Sequence, residues 1–243
     1  MIRRPRLHPR LVDYLAFLYN RTTFLKRFYS EASEPFRERR RKIEHHEGEY
    51  AGAPNGYEDD EPPYLNEWME DGDALDVLGQ QCIALLSSSL YLYIQEWVAE
   101  VVQRAGKDQL TKLGVGFPSD TGYKTAFKDG WINGYRTYCA ALGVDWNQAP
   151  ADLSLLEQVV LVRNTTQHPS DIASIRATQT KKDLAKHPKS FFADEIELSM
   201  VDQNETGRFS FPVRLNITRE KLFEAIDQVE CFCDWLDTQH PFH

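Results

Sequence analysis

The sequence predicts a mainly α-helical protein: a bundle of long antiparallel helices with a small β-hairpin inserted before the C-terminal helix. Apolar residues recur at intervals of three and four over several segments, and the longest of these runs from about residue 74 to residue 105, where Gly106 can end a helix. With 243 residues, of which 42% are hydrophobic, the chain is long enough to bury the core of such a bundle. The hairpin is predicted at about 190–217, immediately before the last helical segment.

Residues 1–70 are predicted to form an N-terminal helix, a basic extension and an acidic loop that pack on the bundle of residues 71–243. Apolar residues keep a helical spacing from Leu11 to Phe28. Pro35 can then open a second helical piece, whose high charge indicates a solvent-exposed extension. The glycine-, proline- and acid-rich stretch that follows is typical of a loop.

Three further helices follow the longest one. The first is predicted at 123–142, although Gly130 and Gly134 weaken it. Asp152 is a suitable N-cap for the next helix, and Thr218 is one for the last. The last helix places these apolar residues on one side: Leu222, Ile226, Val229, Phe232 and Leu236.

The predicted hairpin consists of two segments in which apolar and polar residues alternate, 191–200 and 207–218. Pro212 lies inside the second segment and cannot donate a backbone hydrogen bond. The second strand is therefore expected at an edge or a bulge.

Charge and cysteine content exclude several classes of protein. The formal net charge of −9 argues against a protein that coats nucleic acid by bulk electrostatics, so any nucleic-acid contact must be local. The basic and then apolar N-terminus is interrupted by Asp13 and is too short for a signal sequence or a membrane span, so we expect a cytoplasmic protein without membrane contact. The cysteines are expected to be reduced core thiols rather than metal ligands: Cys82, Cys139, Cys231 and Cys233.

The segment that most clearly suggests a chemical function is LLEQVVLVRNTTQHPSD, residues 155–171. An apolar helix there ends with Arg163, Asn164 and His168. Two β-branched threonines and the following Pro169 disfavour a regular helical ending, so unwinding can turn His168 towards Arg163 or towards a second copy of the chain. A structural alternative stays open, because cationic side chains at a helix C-terminus also cap its carbonyl groups.

The Arg-Asn-x-x-x-His pattern of Arg163, Asn164 and His168, at the end of an apolar late helix, resembles the signature of the HEPN superfamily. The resemblance covers about residues 72–238. Part of that family carries a tyrosine two residues after the histidine, for control by a nucleotidyltransferase partner. This chain has Ser170 there, so the resemblance does not imply that form of regulation.

The resemblance implies a metal-independent RNA endonuclease without a cofactor, of a kind found among toxins and antiviral defence effectors. Cleavage by a ribose 2′-hydroxyl requires a base, an acid and a cation. Histidine can act as base or acid near neutral pH, and arginine supplies a permanent charge. His168 and Arg163 would take these roles, and Asn164 would orient His168 or the phosphate. One chain offers one such histidine, so we expect a homodimer with a composite site, restrained by an antitoxin or a defence partner.

Four cations that follow the motif are candidate RNA-binding residues: Arg176, Lys181, Lys182 and Lys189. The alternative for the lysines is an ordinary solvated loop. Two other functions remain open: a noncatalytic HEPN-like module that binds a nucleotide or a protein, and a helical scaffold in which Arg163 and His168 only cap and pair. The scaffold predicts that both side chains are satisfied internally.

Overall fold

The computed structural model describes residues 13–51, 62–116, 118, 122–168, 176–202, 213–239 and 241. These residues form eight α-helices, which confirms the mainly α-helical fold class. Two short 3-10 turns, Gly48–Tyr50 and Trp146–Gln148, lie between helices. The helices are α1 (Tyr14–Glu44), α2 (Leu65–Lys112), α3 (Lys124–Lys128), α4 (Trp131–Ala141), α5 (Leu153–Gln167), α6 (Lys181–Lys186), α7 (Glu195–Asp202) and α8 (Arg219–Thr238).

Helix α2 is the central element, because α1, α4, α5 and α8 all pack against it. Its side chains Ile83, Leu86, Leu90 and Ile94 are fully buried. Among the described residues, α2 is the one helix long and apolar enough to cross a membrane by length and composition, and 61% of its most apolar window is buried in the bundle. Burial against four helices of the same chain accounts for its apolar character.

The long regular part of α2 ends at Gly106, as predicted, and a second helical stretch follows it within the same element. The backbone leaves the helical region there, with φ of 65° and ψ of 165°, and the chain then resumes a helical course to Lys112. Leu110, in this last part, is 3% exposed. Core contact of that side chain keeps the segment helical beyond the interruption.

Helix α1 is one continuous helix that contains Pro35, so Pro35 does not open a separate helical piece. Charged side chains after Pro35, such as Arg39 and Arg41, are exposed, as predicted. The C-terminal part of α1 packs on α2. Arg39 binds the buried carboxylate of Asp71, and the guanidinium of Arg40 lies 3.9 Å from the centre of the Trp68 ring. These partners are distant in the sequence, so the local charge pattern did not reveal them.

The helix predicted at 123–142 is interrupted at Gly130, whose φ of 105° is available mainly to glycine. Helix α3 precedes this residue and α4 follows it. The ring of Phe127 folds back over Gly134, where an added Cβ would lie 2.3 Å from the ring. The two glycines therefore permit a tight corner between short helices.

The β-hairpin predicted at about 190–217 does not form in the described residues. The first predicted strand is largely replaced by α7, because Asp194 accepts hydrogen bonds from the backbone N–H groups of Ile196 and Glu197 and so caps a helix. Residues 203–212, which include Pro212, lie outside the described residues. The described part of this region contains two isolated antiparallel bridges, Thr178 with Arg214 and Ala193 with Leu215.

The cysteine thiols are unpaired, and three of the four are buried. Burial raises the pKa of Cys82 to about 11 and that of Cys139 to about 12. We expect a thiol-specific reagent such as Ellman's reagent to label at most one thiol per chain in the folded protein, Cys231, and all four in guanidinium chloride. Rapid labelling of two or more thiols under native conditions would contradict this packing.

Candidate functional site

Helix α5 carries the candidate site, and its start is fixed by Asp152. The Asp152 carboxylate accepts hydrogen bonds from the backbone N–H groups of Ser154 at 2.8 Å and Leu155 at 3.1 Å, as predicted for an N-cap. The helix packs on α2 and α8. Leu156 and Val159 are fully buried, and Arg163 follows them by seven and four residues, so it continues the same face of the helix.

The last turn of α5 carries the three predicted site residues. The Arg163 guanidinium donates a 3.0 Å hydrogen bond from Nη1 to the side-chain oxygen of Asn164. The backbone N–H of His168 donates to the backbone carbonyl of Asn164, also at 3.0 Å. His168 has left the helical conformation, with φ of −129° and ψ of 65°. The irregular ending predicted before Pro169 is thus present.

The side chains at this helix end are at least partly accessible to solvent. His168 and Asn164 are exposed, and Arg163 is half-buried. Within the described part of the chain, the imidazole of His168 makes no hydrogen bond or ion pair, and no carboxylate pairs with Arg163. Of the two side chains that the scaffold alternative requires to be satisfied internally, Arg163 has a partner in Asn164.

Lys181 and Lys182 are exposed. They begin α6, whose capping box is formed by Thr180 and Asp183. A small cavity between the helices is lined by Leu161 and Thr165 of α5 and by Asp183 of α6. Lys181 and Lys182 are not among the residues that line this cavity.

Lys189 is exposed but lies nearer the first half of α5, because the adjoining Ser190 donates a 3.1 Å hydrogen bond to Gln158. Arg176 forms ion pairs with Asp73 and Asp76 of α2. Burial raises the pKa of the Asp76 carboxyl, and the charge of Arg176 opposes that rise. Of the four predicted RNA-binding cations, the three lysines are exposed and Arg176 has carboxylate partners.

A second polar cluster was not recognised from the sequence. His187 lies with Nδ1 3.2 Å from the Ser154 hydroxyl and with Nε2 3.3 Å from the Glu157 carboxylate, which also binds Lys186. Ser154 and Glu157 share one face of α5, but their partner is about 30 residues away, so no local signal links them. The cluster anchors the end of α6 on α5.

Comparison of the chain with protein-family models, with curated proteins and with solved structures found no match. The described residues form a helical-bundle-like fold in which Arg163, Asn164 and His168 lie at the C-terminal end of a core helix.

Proposed function

We propose that this protein is a metal-independent RNA endonuclease of the HEPN type, which works in the cytoplasm as a homodimer built on a bundle of long antiparallel helices. One observation carries the proposal: Asn164 contacts both Arg163, through its side chain, and His168, through its backbone, at a helix end where the imidazole is exposed and has no partner among the described residues. A general base or acid and a permanent positive charge thus share one exposed helix end.

The reaction assigned to these residues is transesterification at an RNA phosphodiester. One His168 takes the proton of the ribose 2′-hydroxyl, the 2′-oxygen forms a bond to phosphorus, and the bond to the 5′-oxygen breaks. A second His168, in its protonated form, gives a proton to that leaving oxygen. Arg163 stabilises the extra negative charge on the phosphoryl oxygens. The products are a 2′,3′-cyclic phosphate and a free 5′-hydroxyl.

The proposal requires two copies of the motif that face each other across a two-fold axis, because each chain supplies a single His168. Asn164 is a positioning residue, since it contacts the other two members of the cluster. Lys181 and Lys182 would hold flanking phosphates of the RNA. A protein of this kind, as a toxin or a defence effector, would need a restraining partner.

Incubation of the purified protein with fluorescently labelled RNA in EDTA tests the proposal. We expect cleavage to 2′,3′-cyclic phosphate ends, and a loss of at least about 100-fold in Arg163→Ala and in His168→Ala. His45→Ala is the matched control, because His45 is also exposed and lies at the end of α1. Cleavage retained by a folded His168→Ala variant, or none by a self-associated wild type with structured and unstructured RNAs, would count against a ribonuclease.

A noncatalytic HEPN-like module that binds a nucleotide or a protein is the second candidate, and the open apolar groove between α1 and α2 favours it. Such a module would bind its ligand without cleaving RNA, and His168→Ala would leave that binding unchanged.

A further inference from the structure

The imidazole of His187, at the end of α6, has a hydroxyl on one side and a carboxylate on the other. Its Nδ1 lies 3.2 Å from the Ser154 hydroxyl, and its Nε2 lies 3.3 Å from the Glu157 carboxylate. Ser154 and Glu157 are three residues apart on α5, so they share one face of that helix. A hydroxyl, an imidazole and a carboxylate in this order form the arrangement that activates a serine as a nucleophile.

The Glu157 carboxylate determines which nitrogen of His187 carries the proton in the neutral ring. A carboxylate oxygen beside Nε2 favours a hydrogen on Nε2, because an unprotonated nitrogen there would face the oxygen with its own lone pair. The remaining lone pair is then on Nδ1, which faces the Ser154 hydroxyl. Ser154 can therefore donate its hydroxyl hydrogen to Nδ1, as a nucleophile does to its general base.

The carboxylate and the imidazole are both held in place. Lys186 binds Oε1 of Glu157, and Oε2 of the same carboxylate faces His187. The backbone N–H of His187 donates a 2.8 Å hydrogen bond to the carbonyl of Asp183. The side chains of His187 and Glu157 are only 10% and 19% exposed, whereas Ser154 is exposed. An electrophile in solution can thus reach the serine oxygen, while the base behind it stays fixed.

A buried amide places a hydrogen-bond donor beside the same hydroxyl. Gln158 is 7% exposed, and its Oε1 accepts hydrogen bonds from the Phe191 backbone N–H at 2.8 Å and from the Ser190 hydroxyl at 3.1 Å. These bonds orient the amide so that its Nε2 lies 3.4 Å from the Ser154 oxygen. An oriented N–H group next to a nucleophile can stabilise the negative charge that develops on the oxygen of an attacked carbonyl.

We propose that Ser154 is the nucleophile of a second reaction site, which hydrolyses small carboxylic esters, with His187 as general base and Glu157 as positioning residue. The Ser154 oxygen bonds to the ester carbonyl carbon while its proton passes to Nδ1 of His187. The bond from that carbon to the ester oxygen breaks, and the alcohol leaves with the proton from His187. Water then attacks the acyl-serine in the same way and releases the carboxylic acid. Short, unbranched acyl groups suit the site, because Ser154 meets its substrate directly from solvent.

The ester site and the ribonuclease site lie at opposite ends of α5. Ser154 is in the first turn of the helix, and His168 follows its last turn. The 14 residues between them correspond to a rise of about 20 Å along the helix axis. The two sites share no residue, so either proposal can fail without the other.

Reaction with a rhodamine-tagged fluorophosphonate, which modifies activated serine hydroxyls, tests the nucleophile. We expect the full-length protein to be labelled at Ser154, identified by mass spectrometry of its peptides, and Ser154→Ala to stay unlabelled. His187→Gln should slow the labelling at least about 100-fold, because the hydroxyl loses its base. Ser199→Ala is the matched control, since Ser199 is also an exposed helical serine, and should keep the wild-type rate.

Release of p-nitrophenol from p-nitrophenyl acetate tests the reaction itself. We expect turnover by the wild type, by Ser199→Ala and by His168→Ala, and none above the buffer rate by Ser154→Ala. Circular dichroism must show equal helix content in these proteins. A folded wild type that is not labelled at Ser154, or that releases p-nitrophenol no faster than Ser154→Ala, would overturn the proposal and leave His187 as a structural anchor of α6 on α5.

The pH profile of labelling tests the role of Glu157. The charged groups around His187 are Glu157 of α5 and Asp183 and Lys186 of α6. The negative charge of Glu157 favours the protonated imidazole, so in Glu157→Gln the ring should lose its proton at lower pH, and the pH of half-maximal labelling should fall. A purely structural contact would instead change the rate equally at every pH. An unchanged midpoint in the folded variant would contradict the positioning role.

Discussion

Replacing Gly79 by alanine is expected to lower the free energy of unfolding by about 2 to 3 kcal/mol. A Cβ at this position would lie 2.6 Å from both the backbone oxygen and the Cβ of Ile217. Ile217 directly precedes Thr218, the N-cap of α8, and is 2% exposed. The clash cannot be relieved by a flexible side chain, so α2 and the start of α8 must separate.

Gly72→Ala is the control on the same helix. A Cβ there would meet only the ends of the Arg176 and Arg40 side chains, at 3.4 and 3.6 Å, which is an ordinary contact distance. Alanine is also the better helix former by about 1 kcal/mol, so this variant should be as stable as the wild type or slightly more stable. Urea unfolding followed by circular dichroism gives both values. Similar losses in the two variants would mean that general helix perturbation, rather than the contact with Ile217, decides the result.

Replacing Phe232 by alanine is expected to cost about 3 to 5 kcal/mol of unfolding free energy. The side chain is fully buried, and its ring meets the Trp146 ring edge to face at a centroid distance of 4.7 Å. Trp146 forms the turn that leads into α5, so the pair ties α5 to α8. Alanine leaves a cavity that the surrounding helices can only partly close.

Phe223→Ala on the same helix makes the same chemical change at a half-buried ring stacked by Arg219. We expect it to cost about 1 kcal/mol, because the ring stays in contact with solvent. The difference in urea midpoint between the two alanine variants measures the value of the buried contact. A smaller loss at Phe232 than at Phe223 would contradict the packing of α5 on α8.

Features set by neighbouring residues could be predicted from the sequence. Asp152 and Thr218 cap their helices as expected, since an N-cap bonds to groups two or three residues ahead. The apolar stripe of α8 is entirely buried: Leu222, Ile226, Val229, Phe232 and Leu236. The end of α5 at His168 was also predictable, because Pro169 restricts the residue before it.

Features set by distant residues could not be predicted in this way. The pairing of Arg39 with Asp71 was not predicted, because the buried carboxylate lies 32 residues further along the chain and leaves no mark on the local pattern. One local signal was also missed. The segment 191–200 alternates like a strand, but Asp194 can cap a helix there. At the candidate site, the order of residues indicated the cluster, but the pairing of Arg176 with α2 spans about 100 residues.

The packing of α1 has a consequence for how the chain folds. Leu18, Leu25 and Tyr29 of α1 belong to the same core as Cys82 and Leu86 of α2, and α8 closes over both helices. Neither helix has a core of its own, so the N-terminal part is not a separable unit attached to a finished bundle. We therefore expect removal of α1 to expose the faces of α2 and α8 that it covers and so to destabilise the two helices on which α5 packs.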